Sequence, residues 1–174
     1  MTPERPETYV LAIRLSKIFC TAAVAFYMAL VVFNNVADYW TNFAFVADVL
    51  DIEQVSPRSD IRWRAITSPL LHHTAYLSII LTETIITVLT SAGAFLMGWS
   101  LKSSAKQFQQ AKSKAIAGLT LGFVLFEGGF VALGGEWFGM WQSASYDALQ
   151  SAFRILVTML GVLILVSLKN DELA

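Results

Sequence analysis

Cysteine is almost absent from this 174-residue chain, and charged residues are scarce. The single cysteine, Cys20, lies inside an apolar run, which excludes a disulfide framework and a cysteine-based metal site within one chain. Only 14% of the residues are charged and the formal net charge is -1, so there is no electrostatic basis for binding nucleic acid. The low charge and the 13% aromatic content also exclude a disordered chain.

Sequence motifs of common catalytic sites are missing as well. The chain has no nucleophile elbow, no Walker loop, no dinucleotide fingerprint and no HExxH zinc motif. The segment GGEWFG, which contains Glu136, follows an apolar stretch and is predicted to form a turn at the membrane surface. The sequence therefore predicts no catalytic residue and no cofactor.

Apolar residues dominate what is present, at 56% of the chain with a mean hydropathy of +0.58. A helix that crosses the bilayer needs about 20 mostly apolar residues. Four windows meet this length, at about 15–37, 74–101, 115–133 and 148–168. The first window is long for a signal peptide, and we interpret it as a retained span. The sequence predicts an all-α membrane protein with one domain, 1–174, built as a bundle of four transmembrane helices.

The basic residues predict the orientation of this bundle. Eight of the 12 lysines and arginines precede the first span, lie in the linker 102–114 or follow the last span. The positive-inside rule places such segments in the cytoplasm. We therefore expect a multi-pass membrane protein with both termini and the linker 102–114 cytoplasmic and the segment 38–73 on the outer side, which is the periplasm in a bacterial inner membrane such as the family resemblance below implies.

The segment 38–73 is too long for a tight connection between two spans. Apolar residues at helical spacing, among them Phe43, Val46 and Leu50, alternate with Asp48 and Asp51. This pattern indicates an interfacial amphipathic helix on the outer side between spans one and two, followed by a loop.

Three ionisable residues fall inside the predicted spans: Glu83, Glu127 and Arg154. A charge in hydrocarbon costs roughly 2.5–3.5 kcal/mol even on lenient scales, so each of them needs a partner. The three lie at similar depth, which predicts a buried ion cluster in which Arg154 bridges Glu83 and also Glu127. The cluster would either fix the helix register by hydrogen bonding or line a path for a proton, ion or substrate.

Polar residues recur at helical spacing on three spans. Cys20, Tyr27, Asn34 and Asp38 form one stripe, and His72, Tyr76, Glu83, Thr87 and Thr90 form a second. A third stripe consists of Asp147, Ser151, Arg154, Thr158 and Gly161. The three stripes predict one shared polar interior.

Glycines mark one side of the third span. On a regular α-helix Gly118, Gly122 and Gly129 share a face, and Glu127 points in nearly the opposite direction. Such a groove of small residues allows close helix packing, either within the bundle or against another protein.

The two histidines, His72 and His73, are adjacent and near the predicted outer surface. Haem held by two histidines in a bundle needs them on different helices, so one chain cannot supply that site. One histidine with Asp38, Glu136 or Asp147 is a conceivable outer-face metal site, but no ligand spacing supports it. We favour hydrogen bonding at the interface and predict no metal.

Three runs make the chain recognisable: FNNVADYWTNFAFVADVL (33–50), RWRAITSPLLHH (62–73) and GGEWFGMWQS (134–143). The sequence resembles a bacterial family of predicted small integral membrane proteins of unknown function, over about residues 10–168. Glu83 and the segment 152–154 also match this family. The chain departs from it at Asp48, where the family tends to have histidine. The resemblance implies four spans in the inner membrane and no known activity.

Three functions follow from these observations, in order of preference. The first is a non-catalytic accessory or assembly subunit, whose partners are the lipid bilayer and other integral membrane subunits or a second copy. The second is a small transporter or channel with a polar path lined by Glu83 and Arg154. The third is an enzyme or redox protein that works at the outer face through His72, His73 or Glu136.

Overall fold

The structure is a computed structural model that describes residues 7–53, 55–143 and 147–171. Within these ranges the chain is helical and has no β-strand. The α-helices, in chain order, are α1 (Glu7–Ala37), α2 (Tyr39–Asp51), α3 (Pro69–Trp99), α4 (Ala105–Ala111), α5 (Ser113–Val124) and α6 (Leu149–Ser167). A π-helical segment, Leu125–Trp137, continues α5, and short 3-10 helices occupy Asp60–Arg64 and Met140–Gln142.

Four helices are long and apolar enough to cross a membrane, which confirms the predicted fold class. They are Glu7–Ala37, Pro69–Trp99, Ala105–Trp137 and Leu149–Ser167. The first two have 31 residues each, which corresponds to about 46 Å and exceeds the roughly 30 Å of the hydrocarbon core. These two helices therefore either extend beyond the apolar layer or are tilted within it.

The third span departs from a regular α-helix over its second half. The 13-residue segment Leu125–Trp137 is π-helical, and its last bond runs from Phe138 N–H to the carbonyl of Leu133 at 2.9 Å, five residues back as a π-helix requires. Four glycines lie in LFEGGFVALGGEW. Because glycine is a poor α-helix former, this sequence tolerates the wider turn.

A small folded unit covers one end of the bundle, which we call the cap side because it carries α2. Ile52, Val55 and Phe138 form its own apolar core, and the Ile66 N–H donates to the carbonyl of Leu50 at 2.9 Å. The predicted helix between spans one and two is therefore confirmed as α2, and the following loop folds back onto it.

The opposite end carries α4, and we call it the linker side. Around the bundle α1 packs on α3, α3 on α5, and α5 on α6, whereas α1 and α6 touch at few residues. The main apolar core lies in the middle and on the linker side, with Met97, Phe108, Ala115 and Leu119 all fully buried. The cap-side half, by contrast, contains cavities.

Candidate functional site

A chamber of about 270 Å³ lies between α1, α2, α3, the π-helical segment and α6, on the cap side of the bundle. Its polar lining consists of Tyr27, Asn35, Asn42, Tyr76, Glu83 and Ser151. Its aromatic walls also include Phe45, Phe126 and Phe130. The chamber therefore combines one carboxylate with aromatic and amide groups.

Glu83 is the ionisable centre of this chamber. It is 2% exposed, and Asn35 Nδ2 donates a hydrogen bond to Glu83 Oε2 at 2.7 Å. The hydroxyl of Tyr76 donates to the main-chain carbonyl of Asn35 at 2.8 Å. Tyr76 therefore fixes α1 against α3 at the residue that holds the carboxylate, and Tyr76, Asn35 and Glu83 all line the chamber.

The predicted bridge from Arg154 to the two glutamates is absent from the part of the chain that the structure describes. Arg154 is exposed on α6 and Nη2 donates to Ser151 Oγ at 3.1 Å. Glu127 is exposed on the π-helical segment, and among the described residues neither it nor Glu83 has a basic group within 4.0 Å. Asn35 takes the place predicted for Arg154 because α6 turns its arginine away from the bundle interior.

The three polar stripes share one interior only in part. On α3 the prediction is confirmed, since His72, Tyr76, Glu83 and Thr90 are all buried. On α1 and α6 it holds only for single residues, since Tyr27 and Ser151 line the chamber with Glu83. Every member of the α6 stripe is exposed, and Cys20 is the least exposed of the α1 stripe. The apolar residues Ala152, Leu156 and Met159 occupy the buried face of α6 instead, which leaves the polar residues on the side that meets α1.

The glycines of the third span pack inside the bundle. A Cβ added at Gly118 would lie 2.9 Å from Leu89 Cβ, and one at Gly122 would lie 2.9 Å from Met159 Cε. A Cβ added at Gly129 would make only an ordinary contact, 3.6 Å from Leu125 Cδ1, and Gly129 lines a separate apolar cleft of about 220 Å³. The expectation that all three share a face assumed a regular α-helix, and the π-helical segment rotates Gly129 away from the other two.

The two histidines make polar contacts with residues of the cap side. His72 is buried, contacts the carbonyl of Ile66 and lies 3.4 Å from Asp51 Oδ1. His73 shares a 2.8 Å hydrogen bond with the Tyr39 hydroxyl and stacks on Phe43 at 4.1 Å. Both histidines therefore connect α3 to the cap-side unit.

The other outer-face candidates do not form a ligand group with these histidines in the described part of the chain. Asp38 is exposed and precedes α2, and Glu136 is exposed near the end of the π-helical segment. Over the described ranges, no group of three His, Cys, Asp or Glu side chains could hold a metal ion.

A second charged group, which the sequence analysis missed, lies on the linker side. Asp171 Oδ2 is 3.0 Å from Lys17 Nζ and 2.6 Å from Lys112 Nζ. Arg14 Nε donates to the Asp171 carbonyl at 3.0 Å, and its Nη1 donates to the carbonyls of Leu101 and Ser103 at 2.8 and 2.7 Å. The four charged side chains are at most 1% exposed. We call these four residues the linker-side ion network.

The network ties both ends of the described chain to the loop between spans two and three. Burial opposes ionisation of Asp171, but the hydrogen bonds from Lys112 and Lys17 outweigh that effect, so the pKa of Asp171 lies below its ordinary value. The carboxylate is therefore ionised at neutral pH. Arg14 also stacks over the ring of Phe108, 4.4 Å from its centroid.

Four apolar helices around a cap-side chamber define a multi-pass integral membrane protein. A model of the family described as predicted small integral membrane protein (DUF2165) matches residues 13–169. The chain therefore belongs to this family, as its sequence runs had indicated. No curated protein and no solved structure matches it.

Proposed function

We propose that the protein is a small membrane transporter whose ligand site is the chamber around Glu83, open toward the cap side. The observation that carries the proposal is the position of Glu83, which is 2% exposed in the bundle yet lines a cavity. Ionisable groups within spans are costly, and those that face a cavity mark substrate or ion pathways.

The chamber lining favours an organic cation as the ligand. Glu83 is the only carboxylate among the lining residues, and no arginine or lysine lines the same space. Aromatic rings, including Tyr76 and Phe130, surround it, and such rings attract a desolvated cation by about 0.5–2 kcal/mol each. One negative charge within an aromatic wall matches a singly charged ammonium group better than a hydrated metal ion.

The chamber is closed toward the linker side. Ile86 and Met159 lie about one helical turn below the chamber's lining residues on α3 and α6. Met28 is next to Tyr27 of the lining, and all three residues are at most 1% exposed. This arrangement supports a transporter in a cap-side-open state over an open channel. The linker-side ion network lies beyond this closed core, at the other end of α1.

Binding and uptake of benzyltrimethylammonium, an aromatic quaternary ammonium, test this proposal. Titration calorimetry of the purified protein is expected to detect binding that Glu83→Gln weakens at least tenfold, because the neutral amide keeps the hydrogen bond to Asn35 but loses the charge. Glu127→Gln, which removes an equal charge outside the chamber, is the matched control.

Proteoliposomes that contain the protein are expected to accumulate the labelled probe, and those with Glu83→Gln are not. If wild type and Glu83→Gln bind equally, or if Glu127→Gln causes the same loss, the chamber is not a cation site. Binding without uptake would contradict the transporter proposal and would indicate a receptor for the cation.

One observation favours the accessory subunit as a second candidate. Glu127 is exposed on a span and has no basic partner within 4.0 Å among the described residues, so a neighbouring protein that supplies a donor would stabilise it. Gly118 and Gly122 give no support for an accessory subunit, because they pack against helices of the same chain. Purification in native lipid, followed by identification of proteins present in stoichiometric amount, tests this candidate.

A further inference from the structure

A lateral groove separates α1 from α6 and is open along the side of the bundle. It has a volume of about 540 Å³ and is distinct from the chamber, although Tyr27 and Ser151 line both. Its walls are mainly apolar, with Ala23 and Val24 on α1 and Val162 on α6. The groove therefore offers space for an apolar chain that lies parallel to the helices.

Arg154 is the only charged residue among those that line the groove. It is exposed, and within the described residues its guanidinium makes one hydrogen bond, to the neutral hydroxyl of Ser151 at 3.1 Å. No carboxylate lies within 4.0 Å of it in the described ranges. A guanidinium at membrane depth needs an anionic partner, and its planar set of donors matches a phosphate in particular.

The depth of Arg154 matches the position of a lipid headgroup. It lies five residues after Leu149, the first residue of α6, which is about 8 Å along the helix. An arginine side chain at that depth reaches the headgroup layer by extending toward the surface. Thr158, Met159 and Val162 continue the groove away from that surface. The charged end and the apolar end are therefore arranged as in a phospholipid of the cap-side leaflet.

We propose that the groove binds an anionic phospholipid, with its phosphate on Arg154 and one acyl chain along the groove. This inference is independent of the cation proposed for the chamber, because Arg154 does not line the chamber and Glu83 does not line the groove. The bound lipid would neutralise Arg154 and fill the space between α1 and α6, where the two helices touch at few residues.

Electron spin resonance with spin-labelled lipids tests the proposal. The purified protein is reconstituted in phosphatidylcholine bilayers that contain a trace of spin-labelled phosphatidylglycerol, phosphatidylcholine or stearate. We expect a fraction of the spin-labelled lipid to be immobilised on the protein, with about a five-fold preference for phosphatidylglycerol over phosphatidylcholine. One arginine near the membrane surface contributes about 1 kcal/mol, which corresponds to this factor. Arg154→Gln is expected to abolish this preference, and Arg58→Gln, a change at an exposed arginine of the cap-side loop, is expected to retain it.

A second variant keeps Arg154 and removes the space for the chain. Ala23→Phe places a ring in the groove and is expected to reduce the immobilised fraction for both phospholipids. The proposal is overturned if Arg154→Gln keeps the preference or if Ala23→Phe leaves the immobilised fraction unchanged. An equal Arg154-dependent preference for stearate would also overturn it, because the occupant would then be a free fatty acid.

Discussion

At the scale of single residues, the structure separates charges that are paired inside the bundle from charges that face its sides. Asp171 accepts hydrogen bonds or ion pairs from several donors, and Glu83 accepts one from Asn35. Arg154 and Glu127 are exposed instead. The first group restrains the helices, and the second group comprises the residues for which we propose a lipid or protein partner.

Replacement of Asp171 by asparagine is expected to destabilise the protein strongly. The change leaves Lys17 and Lys112 buried without their carboxylate, and loss of one member of a buried ion group costs about 3–5 kcal/mol. The melting temperature of the purified protein measures the effect. Asp147→Asn is the control, since Asp147 is exposed and, among the described residues, accepts a hydrogen bond only from the N–H of Leu149. Equal melting temperatures for the two variants would show that the network contributes no stability.

Acid should destabilise the native protein through the same carboxylate. The pKa of Asp171 is lowered in the folded state, so the unfolded state binds the proton more readily. Its contribution is therefore complete above the ordinary aspartate pKa of about 3.9 and is lost as the pH falls through the lower folded value. Melting curves from pH 6 downward are expected to converge for wild type and Asp171→Asn, and a constant difference would contradict this linkage.

Sequence alone predicted that Glu83 is buried in the bundle, but it did not predict the partner of the carboxylate. A buried carboxylate requires a donor, and arginine is the strongest candidate by chemistry, which pointed to Arg154. The actual donor is Asn35, whereas the predicted polar stripe of the first span contains its neighbour Asn34. A shift of one residue along a helix rotates the side chain by about 100°. The linker-side network had no local signal, because Arg14 and Asp171 are 157 residues apart and the basic residues had been interpreted only as markers of topology.

At the scale of helices, glycines set the closest approaches within the bundle. Gly93 meets Ala115 so closely that an added Cβ would lie 2.6 Å from Ala115 Cα, and Gly118 meets Thr90 on the same pair of helices. The hydrophobic windows predicted four spans because that signal extends over 20 residues. The π-helical turn depends on tertiary packing around LFEGGFVALGGEW, which apolar periodicity does not encode.

Gly122→Leu is expected to lower stability because the leucine side chain would overlap Met159 on α6. Overpacking of a filled core typically lowers the free energy of unfolding by about 1–3 kcal/mol. Here the backbones of α5 and α6 would have to move apart. Gly161→Leu is the matched control, since nothing lies within 4 Å of a Cβ at that position. A lower melting temperature for Gly122→Leu alone would support packing within one chain. Loss of a co-purifying protein without a change in melting temperature would instead place Gly122 at an external interface.

At the scale of the whole molecule, the two ends of the bundle differ in their packing. The cap side has the chamber and the folded unit around Ile52, and the lateral groove begins there and continues through the middle of the bundle. The linker side has a filled core and the linker-side ion network. A protein that exchanges ligands would open first at its less densely packed end, so the orientation of the cap side decides which compartment supplies the ligand.

We predict that the cap side faces the periplasm and that both termini are cytoplasmic. Arg14, Lys17 and Lys112 are buried in the network, but Lys102, Lys106, Lys114 and Lys169 are exposed on the linker side. Exposed lysines near span ends favour the cytoplasm. On the cap side Arg64 lies between Trp63 and Trp137, 5.3 and 4.6 Å from their ring centroids, as expected for an aromatic belt at a membrane surface.

Cysteine labelling of intact cells measures this orientation directly. In a Cys20→Ala background, Asp60→Cys on the cap side is expected to react with a membrane-impermeant maleimide, because position 60 is exposed. Lys106→Cys, which is equally an exposed position but on α4, is expected to react only after the membrane is permeabilised. The reverse pattern would place the chamber toward the cytoplasm, and the proposed transporter would then take its ligand from inside the cell.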